Sequence, residues 1–145
     1  MSLIPKKLMF PHTITLYNHY RTSARADAWK RTVLTDVQYT ETADKSVSTN
    51  GVIQIADSVT VFIACQSGYA SPDAFAAAAD RSAIWTLNTK NNQDAVVYGV
   101  CTREITGNYL LDDLIEEHQA RIIKCCVDYT KVPIRQLRHW EVVCT

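Results

Sequence analysis

Glycine is scarce in this chain, with four residues in 145. A glycine-rich phosphate-binding loop or a dinucleotide-binding fingerprint needs several glycines at fixed spacing, and neither pattern can be written here. The zinc-protease pattern H-E-x-x-H and the nucleophile pattern G-x-S-x-G are also missing. The sequence therefore carries no local signature of catalysis, and we expect a protein that is not an enzyme and that holds no cofactor and no metal.

An excess of charge of one sign is missing too, because 15 Lys and Arg residues balance 15 Asp and Glu residues. A protein that binds the phosphate backbone of nucleic acid normally has an excess of basic residues, so sequence-independent nucleic-acid binding is disfavoured. Balanced net charge is still compatible with a local patch of basic residues. Apolar runs fall short of the roughly 20 residues that span a bilayer. Pro5, Lys6 and Lys7 interrupt the apolar N-terminus, unlike a secretory signal. We expect folding in a cytoplasm and no membrane partner.

The cysteines number five, an odd count, and form no C-x-x-C pair. This pattern argues against a disulfide framework. Cys125 and Cys126 would point to opposite faces of a strand, which is a poor start for a shared metal site. We expect the cysteines to be small buried apolar side chains. A reactive pair formed in space by a histidine and Cys65, Cys101 or Cys144 remains an alternative.

Other residues with reactive groups have simpler structural interpretations. His118 follows four acidic residues, but Asp113 and Glu117 would repel each other on one helix face, as on a solvated surface. Asp94 precedes a strand and is expected to stabilise a turn rather than to act as a reactive carboxylate. Trp140, in a terminal strand, is expected to anchor a core rather than to stack on a base or a sugar.

Period-two alternation of apolar and polar residues predicts strands over 13–17, 30–39, 52–55, 58–63, 122–129 and 140–144. The residues expected to face inward are Ile14 and Leu16 in the first strand, Val33, Thr35, Val37 and Tyr39 in the second, Ile123, Cys125, Val127 and Tyr129 in the fifth, and Trp140, Val142 and Cys144 in the last. Segments 84–87 and 95–98 flank a polar turn and predict a further hairpin. Adjacent Val96 and Val97 indicate a strand that is covered on both faces.

Two short helices complete the expected fold. Ser71-Pro72-Asp73 has the cap, proline and acidic residue of a helix start, and this helix is predicted to run to Ala79. A second helix over 110–118 places its apolar residues at helical spacing. Many short strands joined by hairpins predict a mainly β protein, a small antiparallel β-barrel or sandwich with two short helices, formed by one domain over residues 1–145.

Residues 41–56 are unusually polar and predict a long hairpin or flap. Asn50 and Gly51 form a turn signal, and the apolar Ile53 and Ile55 follow it. A segment this polar is expected to be either a solvated loop or a contact that becomes ordered in an assembly.

The order of several short motifs resembles a family of small phage and prophage proteins, described as minor capsid or neck proteins of the head–tail connector. The motifs are Ile14-Thr15-Leu16-Tyr17-Asn18, Trp29 with Arg31, Ala56-Asp57-Ser58-Val59-Thr60-Val61, Ile84-Trp85-Thr86-Leu87, Asp94-Ala95-Val96-Val97-Tyr98-Gly99 and His139-Trp140-Glu141-Val142. They are spread over nearly the whole chain. In that family a short turn with Gly-Asp precedes the paired valines, whereas residues 88–93 here are longer and lack the glycine.

The resemblance implies a structural subunit of the phage neck, of the head-closure (stopper) or connector type. Such a subunit forms a β-barrel ring that joins the capsid portal to the tail. It implies a virion location at the portal vertex, with assembly in the host cytoplasm. The partners would be further copies of the chain, a portal or adaptor protein, tail-terminator or tail-tube proteins, and transiently the packaged double-stranded DNA. The flap residues Asn50, Gly51, Ile53 and Ile55 would contact a neighbour or the channel lumen, and Lys90, Asn91 and Asn92 would form a contact at the altered loop tip.

Three alternatives stay open. A tail-terminator or tail-completion protein belongs to the same structural class and differs in its position along the particle. A small nucleic-acid-binding barrel would use Trp29, Trp85 or Trp140 as stacking surfaces. A hydrolase would need a cysteine and a histidine to converge in a pocket.

Overall fold

The computed structural model describes residues 6–47 and 49–145, without the side chains of residues 6, 7, 43–46 and 54–56. The strands are β1 (His12–Arg21), β2 (Asp27–Val47), β3 (Ile53–Ala64), β4 (Ala95–Tyr98), β5 (Arg121–Asp128) and β6 (His139–Cys144). The helices are α1 (Lys6–Met9), α2 (Pro72–Ala77) and α3 (Leu111–His118), and a 3-10 turn spans Arg135–Leu137. Among the described residues, no helix is both long and apolar enough to cross a membrane.

The six strands close into an antiparallel barrel in the order β1-β2-β3-β6-β5-β4. The short strand β4 completes the closure, since Ala95 pairs with both Tyr17 of β1 and Ile122 of β5. Closure satisfies strand edges that would otherwise be free to pair with another chain. The prediction of a mainly β protein with an antiparallel barrel and short helices is confirmed.

Side chains fill the barrel interior. Ile14 and Leu16 of β1 are fully buried there, as predicted from their alternation. The last strand also follows its predicted pattern, and Trp140, Val142 and Cys144 all lie in the same core. The interior is therefore a packed core, with the density expected of a small barrel whose inward residues interdigitate.

A second apolar layer covers the outer face of β1 and β4. Val97 and Tyr17 pack there with Leu114 of α3, while Val96 points into the barrel. The prediction that the paired valines lie in a strand covered on both faces is confirmed. Strand β1 is covered in the same way, which explains its continuous run of buried residues from Ile14 to Asn18.

Two β-bulges reverse faces that the alternation predicted. The first bulge lies in β2, where His12 of β1 pairs with Val37 and Ile14 pairs with Leu34, so that β2 has one more residue than β1 between these pairs. Asp36, inside the bulge, has a φ of 56°. Leu34 is consequently buried, whereas Val33 and Thr35 are exposed, so the inward positions predicted for Val33 and Thr35 are wrong. Each bulge adds one residue to one strand, and a one-residue shift moves the following side chains to the opposite face.

The second bulge lies in β5. Its pairing with β6 passes from Ile123↔Cys144 to Cys125↔Val143, which leaves one extra residue in β5. Ile123 is buried as predicted, but Cys125, Val127 and Tyr129 are exposed. The inward positions predicted for those three residues are wrong, and Cys126 packs against the core instead.

The predicted hairpin between residues 84–87 and 95–98 is also wrong. Residues 84–87 form no regular strand, and Trp85 makes a single parallel bridge to Tyr69. The Trp85 backbone N–H donates to Gly68 O at 2.9 Å, and its carbonyl accepts from Ala70 N at 2.8 Å. Trp85 and Leu87 belong to the core of the barrel, and the Trp85 ring lies against Trp140 with ring centroids 5.2 Å apart. The apolar residues of this segment therefore fill part of the barrel interior, and we call the segment the plug.

Both predicted helices are present. Ser71 caps α2 by accepting a hydrogen bond from Ala74 N at 3.2 Å, and Pro72 occupies the first turn. The helix ends at Ala77, two residues before the predicted end, and the following Ala78 is extended. In α3, Leu114 is buried and Ile115 packs beside it, as the helical spacing predicts.

Candidate functional site

The most distinctive surface feature is a hairpin arm, defined here as residues 41–58, that extends beyond the barrel. Within it β2 pairs with β3 from Thr42↔Ser58 to Val47↔Ile53. The pairing of β1 with β2 ends at Val37, and that of β6 with β3 ends at Val59. In the described residues, the two strands of the arm therefore pair with each other alone, and their outer edges are open.

The tip of the arm is apolar and exposed. Val47 and Ile53 are cross-strand partners, and they are 65% and 56% exposed. Gly51 has a φ of 76°, a left-handed conformation that glycine adopts without strain, in the turn that Asn50 and Gly51 predicted. The side chain of Ile55 lies outside the described residues. A contact of the flap residues with a neighbour or with a channel lumen remains a prediction.

The second predicted contact is the loop tip of Lys90, Asn91 and Asn92. In the structure one of these residues points into the loop and two are exposed. Asn91 turns inward, where its Nδ2 donates to Asp94 Oδ1 at 3.0 Å and its Oδ1 accepts from Gln93 N at 2.9 Å. Lys90 and Asn92 are exposed, and Asn92 has a φ of 55°. Asn91 therefore shapes the loop, while Lys90 and Asn92 form the accessible part of the predicted contact.

Asp94 is fully buried and holds this loop to β1. Its carboxylate accepts from Asn18 Nδ2 at 2.8 Å, from His19 N at 2.9 Å, from Asn91 Nδ2 and from Asn88 N at 3.3 Å. Burial raises the pKa of Asp94, and these hydrogen bonds oppose the rise. The predicted turn role of Asp94 is confirmed, and the same carboxylate also links the turn to the first strand.

A depression of about 420 Å³ lies at the base of the arm. We call it the mouth pocket, and its lining residues come from β1, β2, β4 and the end of α3: His12, Tyr39, Glu41, Tyr98, His118 and Gln119. His12 Nδ1 accepts a hydrogen bond from Tyr39 N at 3.0 Å. Burial raises the pKa of the Tyr39 hydroxyl, and the nearby Glu41 adds to the rise. This pocket joins polar groups and rings that lie far apart in the sequence.

The cysteines do not share one environment. Cys101 and Cys144 are buried, Cys126 is intermediate, and Cys65 and Cys125 are exposed, so the expectation that all five are buried is wrong. Burial raises the pKa of Cys126 to about 11 and that of Cys144 to about 12, which keeps these thiols protonated and weakly nucleophilic.

The histidines are also dispersed. His19 Nε2 lies 2.9 Å from Asp27 Oδ1, and the His139 ring stacks on Tyr129 with centroids 5.0 Å apart. Over residues 6–47 and 49–145, no group of three or more His, Cys, Asp or Glu side chains that could hold a metal ion is found. His118 lies at the rim of the mouth pocket rather than among the acidic residues of its own helix face.

Sequence reasoning missed two parts of the site. The buried pair of Asn18 and Asp94 left a signal, since an amide that follows the mostly apolar residues 14–17 in the same strand needs a polar partner if it is buried. The mouth pocket left none, because its residues belong to four separate elements and form no local motif.

Comparison with known proteins gives a family assignment. No curated protein and no solved structure matches the chain. A family model matches residues 9–145, which cover nearly the whole chain. The chain therefore belongs to DUF6751, a family of unknown function.

Proposed function

We propose that this chain is a structural subunit of a phage neck, a head-closure or connector protein that forms a ring between the capsid portal and the tail. In this role it catalyses no reaction. Its partners are further copies of itself, a portal or adaptor protein on the head side, and a tail-terminator or tail-tube protein on the other side. It resides in the virion at the portal vertex after assembly in the host cytoplasm.

The hairpin arm is the observation that carries the proposal. A two-stranded hairpin is marginally stable by itself in water. Among the described residues, the outer edges of this arm make no strand pairing, and its tip at Val47 and Ile53 is apolar and exposed. Covering such a tip by another protein stabilises both partners, because apolar surface leaves water. In a ring, each subunit presents one surface to the next through a head-to-tail interface that closes by rotation, and a stable interface of this kind buries about 1,000 Å² or more.

The barrel supports the same proposal. Apolar side chains fill its interior. Among the described residues, contacts with other proteins are therefore made by the outer surface of the barrel and by the arm. The chain has balanced charge, with 15 basic and 15 acidic residues. A channel through which DNA slides benefits from weak attraction to phosphate, because strong basic character would retain the DNA.

Replacement of Ile53 by Asp tests the role of the arm in assembly. In a phage whose own copy of the gene is deleted, we expect the Ile53→Asp protein to leave filled heads and tails unjoined, because a carboxylate at the tip opposes burial. Val100→Asp is the matched control, since Val100 is 66% exposed on the barrel. We expect this control to restore tailed particles, counted by negative-stain electron microscopy.

Circular dichroism of the two purified variants separates assembly from folding. Both should keep the thermal midpoint of the parent protein, because each changed residue lies outside the core. Normal yields of infectious tailed particles with Ile53→Asp would contradict the proposal. If this chain were instead found at the end of tails that have no head attached, it would be a tail-completion protein.

A further inference from the structure

The mouth pocket contains three rings that lie in contact on one wall. Tyr39 and Tyr98 have ring centroids 4.9 Å apart, and His12 meets Tyr98 edge-on at 5.5 Å. Tyr98 is 54% exposed, so its ring is directed to the solvent-filled pocket rather than buried in a core. An open wall of aromatic faces attracts cations, since each ring has a negative face.

Charge in and beside the mouth pocket favours the same kind of ligand. Glu41 lines this pocket and an adjoining depression of about 280 Å³, which also contains Asp57 and Arg121. The described lining residues thus place two carboxylates against one guanidinium, and Arg121 lies close to the Tyr39 hydroxyl. Across the two depressions together, the carboxylates of Glu41 and Asp57 outnumber the guanidinium of Arg121.

Two further boundaries of the pocket are His12 and the end of α3. His12 Nδ1 accepts a hydrogen bond from the Tyr39 N–H, which fixes the orientation of the imidazole ring beside Tyr98. On the other side the pocket is bounded by His118 and Gln119, at the C-terminal end of α3. The C-terminal end of a helix carries partial negative charge and stabilises cations nearby.

We propose that the mouth pocket binds a guanidinium or ammonium group, held against the exposed ring of Tyr98 and paired with the Glu41 carboxylate. The group is supplied either by a free organic amine or by an arginine or lysine side chain of a second copy of this chain. This inference does not depend on the neck assignment, because it rests on the rings and charges of the pocket alone.

Argininamide and citrullinamide, both acetylated at the α-amino group so that neither has a second cation, are matched probes, since they then differ chiefly in the charge of the terminal group. Titrated into the purified protein and followed by nuclear magnetic resonance, argininamide should give saturable shifts at Tyr98 and His12, and citrullinamide should not. Tyr98→Leu should weaken argininamide binding by about three- to tenfold, and Glu41→Gln by about two- to fivefold.

Two control variants keep the test specific. Tyr129→Leu removes an exposed ring that stacks on His139 away from the pocket, and Glu116→Gln removes an exposed charge on α3. Both should bind argininamide as the parent protein does. Equal binding of the two probes, no saturable binding, or unchanged affinity in Tyr98→Leu and Glu41→Gln would overturn the proposal.

Sedimentation velocity distinguishes the two sources of the cation. If a second copy supplies it, self-association should weaken in Glu41→Gln and in the presence of argininamide. If self-association is absent or unaffected while argininamide still binds specifically, the ligand is a free amine.

Discussion

Asp94 not only stabilises a turn but also links the 88–91 loop to strand β1. Its carboxylate receives four N–H donors, two of them from Asn18 and His19 in β1 and two from the 88–91 loop. Asn18 also donates to Thr86 O at 2.7 Å and accepts from Thr86 N at 3.1 Å. A buried polar network of this kind is stable when its members are satisfied, and costly when one acceptor is removed.

Replacement of Asp94 by Asn tests this network. The variant keeps one carbonyl oxygen but introduces an NH₂ group among N–H donors, so at least one buried donor loses its acceptor. We expect a loss of about 2 kcal/mol in the free energy of unfolding, measured by urea denaturation. Glu116→Gln, on the exposed face of α3, should change the same quantity by less than about 0.5 kcal/mol. Equal stability of the two variants would contradict the structural role of Asp94.

The thiols provide a second prediction. Ellman's reagent at pH 8 should label Cys65 and Cys125 quickly, because both are exposed. Cys101 and Cys144 should react only after denaturation, since they are buried. Cys126 should react more slowly than Cys65 and Cys125, because it is partly buried and burial raises its pKa. Peptide mapping identifies the labelled residues, and fast labelling of Cys144 in the native protein would contradict the fold.

The same thiols affect stability at high pH. The pKa of Cys144 rises from 9.0 to about 12 in the folded chain. A raised pKa means that its contribution to stability is complete below the unfolded value and is lost as pH increases through the folded value. The free energy of unfolding should therefore decline between about pH 9 and pH 12.

At the scale of elements, the plug at residues 84–87 depends on a close approach of Gly68 to Trp85. A Cβ atom at position 68 would lie 3.0 Å from the Trp85 ring, and Gly68 has a φ of +94°. Gly68→Ala should destabilise the fold by about 1–3 kcal/mol, because it adds both a clash and backbone strain. The measurement is again urea denaturation.

Gly107 provides the matched control for this change. A Cβ at position 107 would have nothing within 4 Å. Gly107→Ala should alter stability by less than about 0.5 kcal/mol. If Gly68→Ala were as stable as Gly107→Ala, the plug would not be packed against the barrel as described.

The alternation of apolar and polar residues was sufficient to locate β1 and β6, because every second residue of the predicted segments packs into the barrel core. It failed in β2 and β5 at the bulges near Asp36 and between Ile123 and Cys125. A bulge reverses the face to which the residues beyond it point, and the apolar pattern of a single sequence does not mark where this reversal occurs. Residues 84–87 alternate like a strand, yet their backbone bonds go to Gly68, Ala70 and the side chain of Asn18.

One part of the candidate site could be predicted from the sequence and the other could not. The arm could be predicted because its polarity and its Asn50-Gly51 turn are local properties of the sequence. The mouth pocket could not, because His12, Tyr39, Tyr98 and His118 meet only after the barrel closes. Closure depends on β4, whose four residues pair with β1 on one side and with two residues of β5 on the other.

For the whole molecule, the structure combines a closed, filled barrel with one open element. Closure protects the body of the barrel from pairing with other chains, whereas in the part of the chain that the structure describes the outer edges of the arm make no strand pairing and its tip is apolar. In the neck proposal, the barrel is the rigid support and the arm is the surface that contacts neighbouring proteins. The neck proposal follows from this division together with the resemblance of the ordered motifs to phage connector proteins.

Cryo-electron microscopy of tailed particles from a phage that encodes this chain tests the neck proposal. The reconstruction is predicted to show a ring of these barrels between the portal and the tail, with the arm of each subunit contacting a neighbour or the channel. A neck accounted for entirely by other proteins, in particles that lack this chain by mass spectrometry, would contradict it.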